Sequence, residues 1–188
     1  MTPLVVILGL AVVGCSGGTH NGYVEGYESA VDQVRGEIVT KPETKEQIWN
    51  RFDNLAAVFS DLKDPNLAQN IRNAYAEELY FNDTFHTLTS RDDVEAYLLE
   101  TADRVNATTT EFEEIAVSDQ SFFLRWKMLI DVEISGENVV MESYGVSQIR
   151  FDDQGKIVFH QDFWDNTEGF FRHLPVVGYV LDKTFQRL

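Results

Sequence analysis

The stretch KIVFHQDFWD, residues 156–165, sets an imidazole, a carboxyl group and an indole at every second position. Side chains on a strand alternate between faces. His160, Asp162 and Trp164 therefore share one face with Val158, and Ile157, Phe159, Gln161, Phe163 and Asp165 take the other. A carboxylate in an apolar cavity is costly when charged, so its pKa rises toward neutrality. A general acid or base works best there, which makes Asp162 a candidate for proton transfer. The plainer alternative pairs it with His160 or Arg125 in the lining of a non-catalytic pocket. His160 could complete a His–carboxylate dyad, or be a pocket-wall histidine. Same-face neighbours sit about 6.5–7 Å apart along a strand, so a direct bond needs both side chains to lean together. The face itself is either a pocket lining or the exposed side of an open sheet.

Other chemistry-bearing residues follow the same period. Trp126 and Met128 share a strand face, and Phe81, Asp83 and Phe85 share another. Such residues are more often core than ligand cage, and in a curled sheet the pocket wall is the core. His86, His160 and His173 lack tight ligand spacing and there is one thiol, so no metal or other cofactor is expected. No G-x-S-x-G motif or free cysteine supports nucleophilic catalysis. The formal net charge of -16 repels phosphate backbones and argues against nucleic acid as a partner. A hydrophobic fraction of 44% and an aromatic fraction of 12% suffice for a packed core.

The elements that must position these groups begin late in the chain. Residues 4–15 form an apolar run too short to span a bilayer, of the kind found in signal peptides. Val12-Val13-Gly14-Cys15 resembles a bacterial lipobox, in which Cys15 is lipidated, although no Lys or Arg precedes the run. With Ser16 after the cysteine, this resemblance implies an outer-membrane lipoprotein facing the periplasm. The expected division is a signal peptide over 1–14, a tether over 15–43 with a short helix at 27–35, and a folded domain over 44–188. Thr44 with Gln47 makes a capping box. Ile48, Phe52, Leu55, Ala56, Phe59 and Leu62 then predict a helix to about residue 63. A second helix runs through Ile71 and Ala74, and a strand spans 79–88. Ser90 caps a third helix whose buried stripe holds Val94, Tyr97 and Leu98.

From residue 108 the pattern is long strands, over 108–117, 121–134, 139–151 and the opening stretch, separated by turns at 118–120, 135–138 and 152–155. Three helices followed by a curved antiparallel sheet make an α+β order. The tail carrying Phe170, Phe171, Leu174, Val176, Val177, Val180 and Leu181 packs on something apolar.

Residues 45–175, with LYFND, the R-x-x-V-x-x-Y-L of Arg91 to Leu98, and GVSQIRFDDQGKIVFHQDFWD, resemble the nuclear transport factor 2-like superfamily, in its SnoaL-like and ketosteroid-isomerase branch. The resemblance implies a cone-shaped, strongly curved sheet around an apolar pocket, and a homodimer through the sheet. It implies that Asp83 stands where ketosteroid isomerase keeps its proton-shuttling carboxylate, with a strand-end cap or a partner for Arg91 as the plain alternative. Trp164 matches a pocket tryptophan. Ser147 stands where the isomerase has an oxyanion-hole aspartic acid, and Asp165 matches an acid of the cyclases. No tyrosine lies in 45–63 to supply the other oxyanion donor.

Two functions are therefore expected. One is a lipid-anchored module that binds a small hydrophobic ligand or a partner in its cone. The other is an acid–base enzyme, such as an isomerase, dehydratase or cyclase. It would act through Asp83, Asp162 and His160, with Ser147 or Tyr144 as a polar group.

Overall fold

The computed structural model describes residues 22–37 and 43–187. The signal segment and Cys15 lie outside the described residues. Among the described residues, no helix is long and apolar enough to cross a membrane.

Helix α1 spans Gly22–Gln33, α2 Lys45–Asn50, α3 Asp53–Phe59 and α4 Leu67–Ala74. Strands β1 (Tyr75–Asn82) and β2 (Thr87–Ser90) lead into α5 (Arg91–Arg104). The long strands are β3 (Ala107–Ser118), β4 (Ser121–Ile134), β5 (Glu137–Phe151) and β6 (Ile157–Trp164). A short α6 (Asn166–Gly169), a 3-10 turn (Phe171–His173) and α7 (Pro175–Phe185) close the chain. One six-stranded sheet runs in the order β2-β1-β6-β5-β4-β3.

The expected α+β architecture is present. β3 to β6 form the antiparallel meander, with Gly136 and Gly155 at positive φ in the turns before β5 and β6. β1 joins the sheet parallel to β6, an exception to the expected antiparallel order. α2 begins at the predicted capping box: Thr44 Oγ1 accepts from Gln47 N, and Gln47 Oε1 accepts from Thr44 N. The helix expected from 44 to 63 is broken in two at Arg51-Phe52, where Phe52 is turned into the core. Ser90 caps α5 as predicted.

The main core fills the concave side. Phe52 at the break before α3, Leu55 and Val58 from α3, Leu67 and Ile71 from α4, and Val94 and Leu98 from α5 pack on Phe122, Leu124, Ile149 and Ile157 of the sheet. Ile157 belongs to this face, contrary to strict alternation along β6. Phe151 pairs with Ile157 and Arg150 with Phe159, so the register slips at Val158 and the parity changes there.

Helix α1 lies within the segment expected as a tether with a short helix at 27–35, and it packs on the sheet. α1 covers the opposite face of the sheet, where Tyr27, Ala30, Val31 and Val34 meet Tyr80 and Phe159. Arg150 Nη1 donates to the carbonyls of Val31 and Val34 at 2.7 and 2.6 Å. It thereby satisfies acceptors left open at the helix C-terminus. Long-range partners of this kind leave no local pattern in the chain.

Candidate functional site

β6 carries His160 and Asp162 inward, β5 carries Ser147 and β4 carries Trp126 and Met128. Ser147 stands opposite Asp162 in the β5–β6 ladder. With Leu55 and Phe59 from α3 and Thr110 and Phe112 from β3, they line a cavity of about 20 Å³, room for about one water. An open groove of about 380 Å³ lies on the other side of Asp162, walled by Thr84, Phe163, Trp164 and Asn166. Asp162 lines both spaces.

A continuous hydrogen-bond chain crosses this site. Trp126 Nε1–H donates to Ser147 Oγ at 2.9 Å. Ser147 O–H donates to Asp162 Oδ1 at 2.5 Å. His160 Nε2 meets the same oxygen at 2.9 Å, and its Nδ1 lies 2.7 Å from the hydroxyl of Tyr75. Burial, and then the charges of Asp162 and Asp83, hold the Tyr75 pKa well above its ordinary value. Tyr75 therefore keeps its proton, and the Nε2–H tautomer of His160 is the one that would accept from Tyr75 and donate to Asp162. Asp162 Oδ2 accepts no hydrogen bond from the described residues.

Asp83 builds a second centre nearby. Its Oδ1 accepts from the backbone N–H groups of Phe85 and His86, both at 2.9 Å, and its Oδ2 accepts from Tyr97. Trp164 Nε1 donates to the Asp83 carbonyl at 3.0 Å, tying this loop to the end of β6. Burial pushes the Asp83 carboxyl above its ordinary value, the Tyr97, His86 and Phe85 hydrogen bonds oppose this, and the Asp162 charge adds to the rise. Thr84, next in the loop, is at φ 87, an unusual conformation for a β-branched residue.

The structure thus brings Asp162, His160, Ser147, Trp126 and Met128 together around one cavity. Trp164 walls the outer groove rather than the inner cavity, and Asp83 lines neither space. Phe81 is buried behind the site, with its ring centroid 5.0 Å from that of His160. Phe85 lines neither space and packs on Trp164, Phe170 and Phe171. Asp165 is a helix cap: its Oδ1 accepts from Thr167 N and Glu168 N, both at 3.1 Å. Tyr144 is exposed on the outer face, as its parity against Ser147 requires. Arg125 pairs with Glu113 and Glu114 rather than with Asp162, and Arg91 with Glu77 rather than with Asp83. No group of metal-ligating side chains occurs among the described residues.

Tyr75 and Tyr97 are the polar residues that sequence reasoning passed over. Tyr75 followed a predicted helix, four residues before the expected strand, whereas β1 starts at Tyr75 itself. Tyr97 read only as part of an apolar helix stripe, and its hydroxyl end reaches Asp83 because α5 packs beside β1.

A model of the SnoaL-like domain family matches residues 57–160, more than half of the chain. The chain belongs to the SnoaL-like domain family. This SnoaL-like fold also recurs in solved structures of low identity. TsrD from Streptomyces laurentii is 13% identical, with a TM-score of 0.56 over 71% of this chain and 98% of that one. A LEH-like epoxide hydrolase of M. tuberculosis is 15% identical, with a TM-score of 0.54 over 69% of this chain and 86% of its own. An NTF2-like protein of unknown function from Exiguobacterium sp. 255-15 is 15% identical, with a TM-score of 0.52 over 63% and 98%. No curated protein matches the sequence. The SnoaL-like match ends at His160, so Asp162 and Trp164 lie just beyond it.

Proposed function

We propose that this SnoaL-like domain binds a small, largely apolar molecule in the groove beside Trp164 and moves a proton at Asp162. One observation carries the reading. The Trp126–Ser147–Asp162–His160–Tyr75 chain fixes one carboxylate oxygen and leaves the other without a partner among the described residues, on a side chain that lines both the groove and the inner cavity. A carboxylate so oriented presents its other oxygen to a bound molecule as a proton acceptor, while Ser147 and His160 hold the first. The reaction class this suits is proton abstraction or return, as in an isomerase, dehydratase or cyclase.

The test needs no knowledge of the natural substrate. The protein is incubated in deuterium oxide with a panel of small ketones and enones, and deuterium incorporation next to the carbonyl is followed by mass spectrometry. Incorporation that disappears in Asp162→Asn, with the fold intact by circular dichroism, is the expected result. Incorporation unchanged in that variant removes Asp162 from the chemistry.

A second reading, ligand holding without turnover, is favoured by the use already made of the donors that surround Asp162 and Asp83. The Trp126 N–H, the Ser147 and Tyr97 hydroxyls and the His160 Nε2–H are all engaged within the protein, which leaves none of them for an oxyanion. Saturable binding of a panel member with no deuterium incorporation is the outcome that selects it.

The apolar run before Cys15 supports a lipid anchor on that residue, and with Ser16 a place at the outer membrane facing the periplasm. Metabolic labelling with an alkynyl fatty acid tests this, with the label lost in Cys15→Ser. Exposed Val140 and Tyr144 on the outer face support a homodimer through the sheet, which sedimentation velocity tests.

A further inference from the structure

Helix α7 is covered on one side only. Its Gly178 faces the 3-10 turn so closely that a Cβ there would stand 2.2 Å from the Arg172 carbonyl oxygen. Val177 and Leu181 are partly buried on the same side. The opposite side carries Val176, Tyr179 and Val180, which are 76%, 64% and 55% exposed. At helical spacing these continue into Lys183, and Arg187 follows in the next turn. Lys183 Nζ stands 5.7 Å from the centre of the Tyr179 ring. Asp182, the acid in α7, is paired with Arg172 on the flank.

The charge of this segment runs against that of the chain. Residues 171–188 hold three basic residues, Arg172, Lys183 and Arg187, against one acid, Asp182, in a protein of formal net charge -16. The uncovered stripe is therefore apolar at its start, aromatic in the middle and cationic at its end. An apolar helix face with Lys and Arg beside it suits the interface of an anionic bilayer, where Tyr sits at headgroup depth. A second copy of this chain fits less well. It would set a like-charged stripe against itself.

We propose that the Val176–Tyr179–Val180 face of α7 seats on an anionic lipid surface, held there by Lys183 and Arg187. The contact turns on neither the pocket chemistry nor a lipid on Cys15.

The test uses the full chain with Cys15→Ser and a polarity-sensitive fluorophore on Val180→Cys. A second preparation carries the fluorophore on Ser118→Cys, at the exposed end of β3. Vesicles of equal parts phosphatidylglycerol and phosphatidylcholine are compared with vesicles of phosphatidylcholine alone. A blue shift at position 180 with the anionic vesicles only, and none at 118, is the expected result. In Lys183→Gln with Arg187→Gln, the midpoint of that shift moves to higher lipid by about fivefold per charge removed. No shift at 180, or the same shift with both vesicles, overturns the proposal. A shift that grows with protein concentration in the absence of vesicles also overturns it, in favour of a second copy.

Discussion

The indole of Trp126 occupies the space that Gly145 leaves empty. The two residues stand opposite each other across β4 and β5, and a Cβ on Gly145 would lie 2.3 Å from Cζ2 of Trp126. The missing side chain lets the ring lie against the strand with Nε1–H on Ser147. Ser147 in turn holds Asp162. A glycine two residues from Ser147 thus helps aim the carboxylate.

Gly145→Ala should push the indole away and break its hydrogen bond to Ser147. Overpacking a core position costs about 1–3 kcal/mol, so the urea midpoint should fall, and near-ultraviolet circular dichroism should report the displaced ring. Unchanged stability with an unchanged spectrum would mean that the indole is not confined by this contact.

Tyr75→Phe removes the donor to His160 Nδ1 while keeping the ring that packs in the core. A buried acceptor left unpaired costs about 1–3 kcal/mol. Nitrogen-15 NMR of the histidine ring should then show the Nε2–H tautomer mixing with the other form, whereas the wild-type protein holds a single tautomer.

Arg150→Met should loosen α1 selectively. The guanidinium binds the Val31 and Val34 carbonyls and stands over Phe159, with 5.0 Å from Cζ to the ring centre. A hydrogen bond to a charged group contributes about 1.5–3 kcal/mol. Amide hydrogen exchange in residues 22–33 should speed up far more than exchange in β4 and β5. Uniform change across the chain would assign Arg150 to the global core instead.

Asp83 should make stability fall with pH over a defined window. Its folded pKa is raised, first by burial, so the folded chain holds this proton more tightly than the unfolded chain does. The stabilisation is complete while the group is protonated. It is lost as pH rises from the ordinary carboxylate value, about 3.9, through the higher folded value. Asp83→Asn carries no such charge, so its urea midpoint should be flatter over that window and gain on the wild type as pH increases. Parallel curves would show that Asp83 titrates alike in both states.

Much of the scaffold could be read from the chain because its signals are local. Thr44 with Gln47 marks a helix start through bonds spanning three residues. Ser90 does the same for α5. The turns around Gly136 and Gly155 punctuate the meander. The pocket face of β6 was also legible: His160 and Asp162 point to one side, and their ring and carboxylate do lean together, at 2.9 Å. Parity failed at Val158, because a bulge depends on how the partner strand is paired. Asp165 looked like a pocket acid by position, yet it caps the short helix that follows it.

By itself the sequence determined the succession of helices and then long strands, the acidic composition and the face shared by His160 and Asp162. These follow from side-chain period and from capping and turn chemistry, whose partners lie within a few residues. Only the tertiary structure decided that Tyr75 would reach His160 across 85 positions of chain and that Arg150 would close the end of α1 across 116 and 119. It also decided that the inner cavity would hold about one water. Those outcomes depend on sheet curvature and on how elements distant in the chain fill the same volume, and no local pattern of residues encodes either.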